Sequence, residues 1–387
     1  MPTRPPRPLK PMRHEREPRR TNGFLNFLDG LLSFAFLMLI LAAALTMWVH
    51  RGFDAPGPLQ QQAVVVVPKG DSALEVADRL ERAGVIDDRR LFMLQYYVGK
   101  LYGGGATDRG GLKAGEYEFK AGASVRQVLD TIISGRGILL KFTVPEGLTS
   151  RQIVERLAAE PGLTGDIKTV PDEGVLLPDT YRFSRGTSRQ EIIDRMRADH
   201  GKLVKALWAQ RQQGLPLQTP EEAITLASIV EKETGKAEER PRVASVFINR
   251  LNKGMRLQSD PTIVYGLVGG QGPLGRSLTR SDIDSKTPYN TYQINGLPPG
   301  PICNPGRAAI AAVLNPIVSQ DLYLVAYGTG GHTFTSNLKD HNAAVANWRR
   351  IERSQQSSSG GGDVASVPPV LNANKGGAAK SSSRNKR

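Results

Sequence analysis

The stretch Thr219–Gly235, TPEEAITLASIVEKETG, has helix-capping signals at both of its ends. Thr219 is a favoured N-cap residue, and Glu222 stands three positions later, where it would complete a capping box. Pro220 falls at the first helical position, where its missing N–H costs nothing. Gly235 is expected to end the helix in a left-handed conformation. The stretch is therefore predicted to form one helix.

The acidic residues at the end of this helix are predicted to point in different directions. At about 100° per residue, the face that carries Glu233 also carries three apolar residues, Leu226, Ile229 and Val230. Glu231 and Lys232 point away from that face, so the side chain of Glu231 is expected to be solvated. Glu233 is expected to turn inward, among the apolar side chains.

A carboxyl group that turns inward must have either a partner or a chemical role. Loss of solvation disfavours its charged form and raises its pKa. A general acid needs a pKa near the working pH, roughly 6–7 for a tuned glutamate. Glu233 is therefore the candidate acid/base residue. The alternative is a structural ion pair between Glu233 and an arginine of the next helix, for instance Arg250 or Arg256.

The beginning of the chain predicts a membrane anchor. Leu31–Val49 contains no charged residue, and as a helix it would extend about 28 Å, enough to cross a hydrocarbon core of about 30 Å. Trp48 stands at its far edge, as an interfacial anchor does, and the basic residues before it place the N-terminus in the cytoplasm. A cleaved signal peptide is the alternative. The leader is too long for that, and no small-residue cleavage site follows the apolar run.

Net charge and cysteine content exclude further classes of function. The net charge of +14 lies mostly at the two ends, since residues 1–30 hold seven Lys/Arg and three acids, and residues 353–387 hold six and one. The part between them is only mildly basic, so nucleic acid is not an expected partner. Both ends are predicted to be disordered from their composition. Cys303 is the only cysteine, which excludes an intrachain disulfide.

One pattern occurs three times after a linker at residues 50–62. Each copy is a strand, a glycine turn, a Ser or Thr cap and a short amphipathic helix. The three caps are Ser72, Ser124 and Thr149. A further helix is predicted at about Asp88–Leu101, before a glycine-rich loop at Gly103–Gly111. Such modules occur in cell-wall carbohydrate binders, and the alternative is plain scaffolding.

The second half of the chain is predicted to mix helices and strands around the Thr219–Gly235 helix. The other predicted elements are a strand after Leu177–Tyr181, a helix from Ser188 to about Gln213, a helix from about Pro241 to Gly254, a strand at Leu322–Ala326, a turn at Gly328–Gly331 and a last helix to about Ile351. The loop after the Thr219–Gly235 helix places Glu233 at a helix end.

Residues Met255–Gly306 are rich in Gly, Pro, Asn and Tyr. Amide groups bond the hydroxyls of a sugar and tyrosine rings stack on its apolar face, so loops of this composition suit a saccharide groove. Ordinary turn chemistry is the alternative. Most glycoside hydrolases need two carboxylates, and Asp260 is the one acid of these loops with a claim to be the second. Its alternative role is a turn residue before Pro261.

Signals for other chemistry are missing from the sequence. It has no phosphate-binding loop, no dinucleotide fingerprint and no G-x-S-x-G elbow. His332 and His341 are not at helical ligand spacing, and the single thiol is far from both in sequence, so no metal site is expected.

Six motifs in order resemble the endolytic murein transglycosylases of the YceG-like type. They are ASIVEKET (Ala227–Thr234), VASVFINRL (Val243–Leu251), RLQSDPT (Arg256–Thr262), TPYNTY (Thr287–Tyr292), GLPPGPICNPG (Gly296–Gly306) and GGHTF (Gly330–Phe334). The resemblance covers roughly residues 63–350 and the anchor. The ends of the chain lie outside it.

The resemblance implies an enzyme that cuts nascent peptidoglycan strands internally, between N-acetylmuramic acid and N-acetylglucosamine. The route is that of a lyase, in which the muramic acid C6 hydroxyl attacks its own anomeric carbon and leaves a 1,6-anhydro end. It implies that Glu233, the second glutamate of E-K-E, protonates the leaving oxygen and then takes the C6 hydroxyl proton. No cofactor and no metal are implied. The attack by the C6 hydroxyl explains how one carboxylate could suffice, because the substrate itself supplies the nucleophile.

The residues and the resemblance together predict an α+β architecture with a membrane anchor. The expected divisions are a disordered cytoplasmic segment at 1–30, a transmembrane helix at 31–49, a linker at 50–62, a LysM-like subdomain at 63–136, a catalytic domain at 137–352 and a disordered tail at 353–387. The protein is expected in the cytoplasmic (inner) membrane with its catalytic domain in the periplasm or outside the cytoplasm. Its expected partners are peptidoglycan strands, and penicillin-binding proteins or glycan polymerases. Candidate groove residues are Gln258, Asp260, Asn290 and Tyr292.

Two rival interpretations stay open on the sequence. The first is a peptidoglycan-binding membrane anchor without catalysis, in which Glu233 forms a structural ion pair. The second is a cytoplasmic lyase that uses pyridoxal phosphate, which would need a Schiff-base lysine. Lys232 is the nearest lysine, but it is predicted to point away from the apolar face, and the anchor places the domain across the membrane from the cytoplasm.

Overall fold

The computed structural model describes residues 23–102, 111–327 and 331–358 and is a mixture of α and β structure. The helices of these residues are α1 Gly23–Asp54, α2 Ala73–Arg82, α3 Arg89–Tyr102, α4 Val125–Ser134, α5 Ser150–Ala158, α6 Arg189–Ala209, α7 Pro220–Glu233, α8 Arg240–Asn252, α9 Asp260–Val268, α10 Arg280–Asp284, α11 Arg307–Leu314 and α12 Leu338–Ser358. The strands are β1 Ala63–Val67, β2 Gly115–Phe119, β3 Leu139–Thr143, β4 Thr180–Ser184, β5 Tyr323–Ala326 and β6 His332–Thr335. They form three two-stranded sheets, β1–β2, β3–β4 and β5–β6.

The described chain divides into two compact units. The first runs to Lys113 and includes Tyr117–Arg136, and the second contains Ala114–Glu116 and the chain from Gly137 onward. Each unit has its own apolar core, and the second unit has two clusters of buried side chains.

Helix α1 is the one helix among the described residues that is long and apolar enough to cross a membrane. Its segment Phe27–Asp54 has a mean hydropathy of 2.3. The side chains from Phe27 to Trp48 are exposed, whereas Phe53 near the end of the helix is buried. The helix begins at Gly23 and ends at Asp54, so it is longer at both ends than the predicted span. The prediction of disorder is therefore wrong for residues 23–30, where the apolar helix continues; residues 1–22 lie outside the described residues.

The repeated strand–turn–helix pattern is confirmed at all three of its caps. Ser72, Ser124 and Thr149 each cap a helix through a complete capping box, in which the side chain at the third helical position bonds back to the cap. The first two copies pack their helices α2 and α4 on a common core that includes Val76, Leu80 and Ile132. The predicted helix at Asp88–Leu101 is α3, and most of the predicted glycine-rich loop lies outside the described residues.

Helix α7 runs through the main core of the second unit. Every residue from Ala223 to Val230 is buried, and the helix packs against α8 and α11. Thr219 caps it as predicted, by accepting a hydrogen bond from the Glu222 N–H. The Glu222 side chain bonds the Gln218 N–H instead of returning to the cap, so the capping box is only half formed.

The predicted left-handed stop at Gly235 is wrong. The helix ends at Glu233, and its C-cap residue is Thr234, whose backbone is extended with φ −139° and ψ 130°. The Thr234 hydroxyl accepts a hydrogen bond from the Lys236 N–H and donates one to Glu239. A side-chain turn therefore ends α7 where a glycine was expected to do so.

Two helices in residues 255–306 have no counterpart in the sequence prediction. They are α9 and α10, and α9 begins at Asp260 with Pro261 in its first turn. Farther along, α12 continues to Ser358, so the prediction of disorder is wrong for residues 353–358; residues 359–387 lie outside the described residues. The predicted turn at Gly328–Gly331 also falls mostly outside them.

Candidate active site

Glu233 is the last residue of α7, and its side chain turns toward the start of α9. The hydroxyl of Ser259 donates a short hydrogen bond to Oε1 of Glu233. Ser259 itself is almost fully buried. The periodicity of α7 predicts this inward direction, because Leu226, Ile229 and Val230 on the same face are fully buried.

The surroundings of Glu233 favour its neutral form. The pKa of Glu233 is raised to about 7, and burial is the largest cause. The hydrogen bond from Ser259 opposes this shift, the charge of Asp260 adds to it, and the charge of Arg250 opposes it. No cation in the described part of the chain lies within ion-pair distance of the carboxyl. The carboxyl therefore holds a proton near neutral pH that it can give to a base and take back.

Ser259 reaches Glu233 because the loop before α9 is held in one conformation. Its backbone N–H donates to the Thr291 hydroxyl at 2.9 Å, and Thr262 and Thr291 bond each other through their hydroxyls at 2.9 Å. The preceding residue, Gln258, is the one non-glycine residue with positive φ in the described chain, at 54°. That conformation costs energy for a side chain with a Cβ. The strained turn redirects the backbone just before Ser259.

Arg250 of α8 also fixes the loop before α9, through hydrogen bonds to backbone carbonyls. Its guanidinium is fully buried and donates to the carbonyls of Arg256 at 3.0 Å, Leu257 at 2.9 Å and Leu322 at 2.7 Å. A longer hydrogen bond of 3.3 Å reaches the side-chain oxygen of Gln258. Burial lowers the pKa of Arg250 to about 10. Arg250 therefore acts on Glu233 through its field, and not through the ion pair that the sequence left open.

The ion pair with an arginine occurs at the other glutamate of E-K-E. Oε1 of Glu231 bonds Arg240 at 3.0 Å, and Oε2 accepts the N–H of Gly306 at 2.9 Å. The Glu231 side chain is only 5% exposed, so the prediction that it is solvated is wrong. Arg240 also contacts Glu146 at 3.2 Å. The Glu231 side chain thus bonds to two other segments of the chain, at Arg240 and at Gly306. The periodicity of one helix cannot predict such partners.

Asp260 and Tyr292 form a hydrogen-bonded pair beside this site. The Tyr292 hydroxyl donates to Oδ1 of Asp260 at 2.7 Å. Burial raises the pKa of Asp260, and the bond from Tyr292 opposes that shift. Asp260 is not a turn residue before Pro261, because it is the first residue of helix α9. Its charge reaches Glu233 and raises the pKa of that carboxyl.

Asp260 also lines a cavity of about 690 Å³ in the second unit. The wall includes Lys232, whose amine donates to the Gly147 carbonyl at 3.4 Å. Other lining residues are Thr149, Gln152, Pro261, Tyr265, Gly272, Leu274 and Arg276. The cavity therefore combines apolar, hydroxyl and charged surface next to the helix end that carries Glu233.

Asn290 lies away from that cavity. It is fully buried, and its amide nitrogen donates to the carbonyls of Ile283 at 3.0 Å and Ser285 at 2.6 Å. Its side-chain oxygen accepts the N–H of Tyr292 at 3.0 Å. These bonds occupy the amide, so Asn290 fixes the loop that carries Tyr292. The structure brings Glu233, Asp260 and Tyr292 together and places Asn290 behind them.

The histidines are engaged in other contacts. Nδ1 of His332 lies 2.8 Å from Oε2 of Glu239, and the buried ring of His341 stacks on Tyr323 at 5.0 Å between centroids. Among the residues that the structure describes, no group of three or more His, Cys, Asp and Glu side chains is arranged to hold a metal ion.

Comparison of the sequence with known proteins shows the family of this chain. The sequence profile of the YceG-like family matches residues 65–347. The chain belongs to the YceG-like family. It is 31% identical over 310 residues to an endolytic murein transglycosylase of Bacillus subtilis strain 168, a match that covers 72% of this chain and 82% of the relative.

Two further proteins are similar to this chain. An endolytic murein transglycosylase of Streptococcus pneumoniae strain D39 is 30% identical over 372 residues, which is 82% of this chain and 64% of that protein. A solved yceG-like protein of Listeria monocytogenes is 32% identical and covers 73% of this chain and 99% of its own, with a TM-score of 0.43.

Two residues that shape the site of this YceG-like chain, Ser259 and Arg240, are not predicted by the sequence pattern, and Arg250 is predicted only as an ion-pair partner of Glu233. Ser259 stands inside a motif, but nothing in its spacing shows that its hydroxyl contacts Glu233. Arg240 precedes Pro241 at the start of α8, and no pattern in the sequence pairs it with Glu231. A usable signal for Ser259 existed, since Ser followed by Asp-Pro is a helix start.

Proposed function

We propose that this protein is a membrane-anchored endolytic lytic transglycosylase that cleaves the bond between N-acetylmuramic acid and N-acetylglucosamine within nascent peptidoglycan strands. Its products carry 1,6-anhydro ends, and the cut ends glycan elongation. The observation that carries the proposal is the carboxyl of Glu233, whose pKa is raised to about 7 and whose neighbours Lys232 and Asp260 line a cavity. The names of its relatives support the substrate class.

The first step uses Glu233 as an acid. The protonated carboxyl gives its proton to the glycosidic oxygen, and the bond from the muramic acid C1 to that oxygen breaks. The N-acetylglucosamine end leaves as an alcohol, and positive charge develops at C1. The Ser259 hydroxyl supports the carboxylate that forms, because it donates to the oxygen that gains charge.

The second step uses the same group as a base. The C6 hydroxyl of the muramic acid attacks C1 on its own ring and closes the 1,6-anhydro bridge, and Glu233 takes the C6 proton. The carboxyl is protonated again at the end, and no water is consumed. The negative charge of Asp260 beside the site suits the positive C1, and its bond from Tyr292 holds it in place.

The anchor and the first unit complete the proposal. Helix α1 supports a single span in the cytoplasmic membrane, with the N-terminus in the cytoplasm and the catalytic residues outside it. Residues 63–136 serve as a LysM-like glycan-binding subdomain, supported by two capped strand–turn–helix modules on one core. Glycan polymerases and penicillin-binding proteins are the proposed protein partners.

The test compares products from the full-length protein in detergent with those of two variants. Polymeric glycan is incubated with wild type, Glu233→Gln and Glu221→Gln, and the strand ends are identified by mass spectrometry. We expect 1,6-anhydro ends inside strands from wild type and from Glu221→Gln, whose side chain is exposed in the first turn of the same helix. Glu233→Gln should give none.

Two outcomes would overturn this function. Equal product from Glu233→Gln and wild type would remove Glu233 from the chemistry. Binding of glycan without any product from wild type would favour the rival interpretation, a peptidoglycan-binding anchor. Hydrolysed reducing ends in place of anhydro ends would contradict the lyase route alone.

A further inference from the structure

Helix α3 has an apolar stripe that faces solvent. Leu94, Tyr97 and Leu101 are 43%, 57% and 77% exposed. Their spacing of three and four residues puts them within about 60° of one another on the helix surface. Arg90 falls in the same stripe, four residues before Leu94, and it too is exposed. This is a continuous strip along the helix, and not a scatter of single apolar residues.

The opposite face of α3 is already buried in the core of the first unit. Phe92 is fully buried there, and Leu91 and Tyr96 pack against the same cluster. A helix on the surface of a soluble domain has one apolar face and one polar face. Helix α3 has two apolar faces, and the residues of the unit that the structure describes cover only one of them. The second face is therefore expected to contact another molecule or a membrane.

The position of α3 indicates what that occupant is. The end of α1 contacts the beginning of α3, since a methyl group added at Gly52 would lie 3.8 Å from Cδ2 of Leu91. Gly52 lies three residues beyond the apolar run that ends at Val49, a rise of about 5 Å along the helix. The first turn of α3 therefore begins at the level where α1 leaves the hydrocarbon and enters the headgroup layer.

The residues of the stripe suit that level of a membrane. A tyrosine ring sits well at the boundary between headgroups and acyl chains. Arg90 stands at one end of the stripe, and the exposed Lys100 lies beside Leu101 at the other. Such side chains lay their methylene stems on apolar surface and keep their charges in the headgroup layer. Helix α3 itself contains no acidic residue, so it meets anionic headgroups without repulsion from its own side chains.

We propose that the stripe Arg90, Leu94, Tyr97 and Leu101 lies on the lipid surface of the membrane that α1 enters. Helix α3 is then an interfacial helix, and it holds the first unit against the bilayer. The inference rests on the membrane anchoring proposed above, and it is independent of the chemistry at Glu233.

The experiment places a fluorescent probe in the stripe of the full-length protein. Tyr97→Cys is labelled with NBD under native conditions, where Cys303 is fully buried and protected. The protein is reconstituted into vesicles of phosphatidylcholine and phosphatidylglycerol, with and without nitroxide groups on the acyl chains. We expect a blue-shifted emission and a loss of most of the intensity on quenching by the nitroxide lipids. A label at the exposed turn residue Lys69, as Lys69→Cys, reports the emission of a polar exposed position.

A second variant tests whether the stripe itself makes the contact. Leu94→Ser with Leu101→Ser, in the labelled Tyr97→Cys background, should return the emission toward that of water and remove most of the quenching. Replacing phosphatidylglycerol by phosphatidylcholine should weaken the quenching, because Arg90 and Lys100 then lose the attraction of anionic headgroups. Persistent quenching in the serine variant would overturn the role assigned to the stripe.

Insertion of α1 is measured in the same vesicles, by resistance to alkaline extraction and by quenching of Trp48. If α1 is inserted and the label at position 97 stays in water, the proposal for α3 is wrong and the anchor stands. If the emission is blue-shifted but not quenched by lipid, the stripe is covered by protein, and the proposal is again wrong. If α1 is not inserted, the anchor and the proposal that depends on it both fall.

Discussion

The hydroxyl of Ser259 donates to the carboxylate oxygen of Glu233 and not to the first turn of the helix that Ser259 precedes. Ser259 is the N-cap residue of α9, yet its side chain makes no capping hydrogen bond. A serine at this position usually stabilises its helix by about 1 kcal/mol through that bond. Here the hydroxyl is used instead to adjust the proton affinity of Glu233.

Removal of the Ser259 hydroxyl should raise the pKa of Glu233. The hydrogen bond stabilises the charged carboxylate, so its loss favours the protonated form. We expect Ser259→Ala to move the alkaline fall in kcat/KM to higher pH by about one unit, the size of one hydrogen bond to a charged group. The measurement is a pH–rate profile of anhydro-end formation. Ser281→Ala, at an exposed serine of α10, should leave the profile in place; a shift there of equal size would contradict the assignment.

Removal of the Asp260 charge should move the same profile in the opposite direction. The charge of Asp260 raises the pKa of Glu233, so Asp260→Asn should lower that pKa and bring the alkaline fall to lower pH. Asparagine keeps an oxygen that can accept the hydrogen bond from Tyr292. Asp284→Asn, at an exposed acid paired with Arg280, serves as the matched control. An unmoved profile in Asp260→Asn would show that the two carboxyl groups are not coupled.

The raised pKa of Glu233 also predicts a cost in stability at alkaline pH. The pKa is about 7 in the folded protein and about 4.3 in an unfolded chain. The folded state therefore keeps the proton longer, and its stability falls as the pH rises between these values. Glu233→Gln removes this cost, and we expect the variant to gain up to about 3 kcal/mol on wild type between pH 5 and 8.

That gain is measured as the difference in unfolding free energy between the two proteins at each pH, with the full-length protein in detergent. The difference isolates Glu233 from other acids with a raised pKa, such as the partly buried Glu173, which titrate in both proteins. A constant difference from pH 5 to 8 would mean that Glu233 is ionised throughout that range.

The buried pair Glu231–Arg240 should couple in a double-mutant cycle. Glu231→Ala leaves the Gly306 N–H without its acceptor and Arg240 with only the half-exposed Glu146, so we expect a loss of about 3 kcal/mol. Glu231→Gln keeps an acceptor for Gly306 and should lose less. The pair Glu231→Ala with Arg240→Met should lose less than the sum of its single changes. Additive losses in chemical denaturation would contradict the pairing.

The sequence predicts those parts of the site that depend on local order. The start of α7, the direction of Glu233 and the three capped helices follow from spacing along one segment. Glu231 shows where that approach ends: its partners are Arg240 at the start of α8 and Gly306 in a loop far along the chain. Periodicity gives the face of a helix, but not which distant groups cover that face.

The loop before α9 illustrates a second reason why the sequence does not predict the whole site. Asp260-Pro261 signals a turn or a helix start equally well, and the short apolar segment after it contains Gly266, which weakens a helix prediction. The loop conformation depends on the buried guanidinium of Arg250 and on the positive φ of Gln258. Both follow from tertiary packing, so the contact between Ser259 and Glu233 is visible only in the folded protein.

The close packing of Ala223–Val230 has a consequence for the way this enzyme can change. Every side chain in that segment is buried, and in a close-packed interior both larger and smaller replacements cost stability. A directed-evolution library would therefore retain few substitutions there. Surviving diversity would concentrate in the loop around Gly272–Leu278, which lines the cavity wall. Selection could thus alter the lining of this cavity while Glu233 keeps its position at the end of α7.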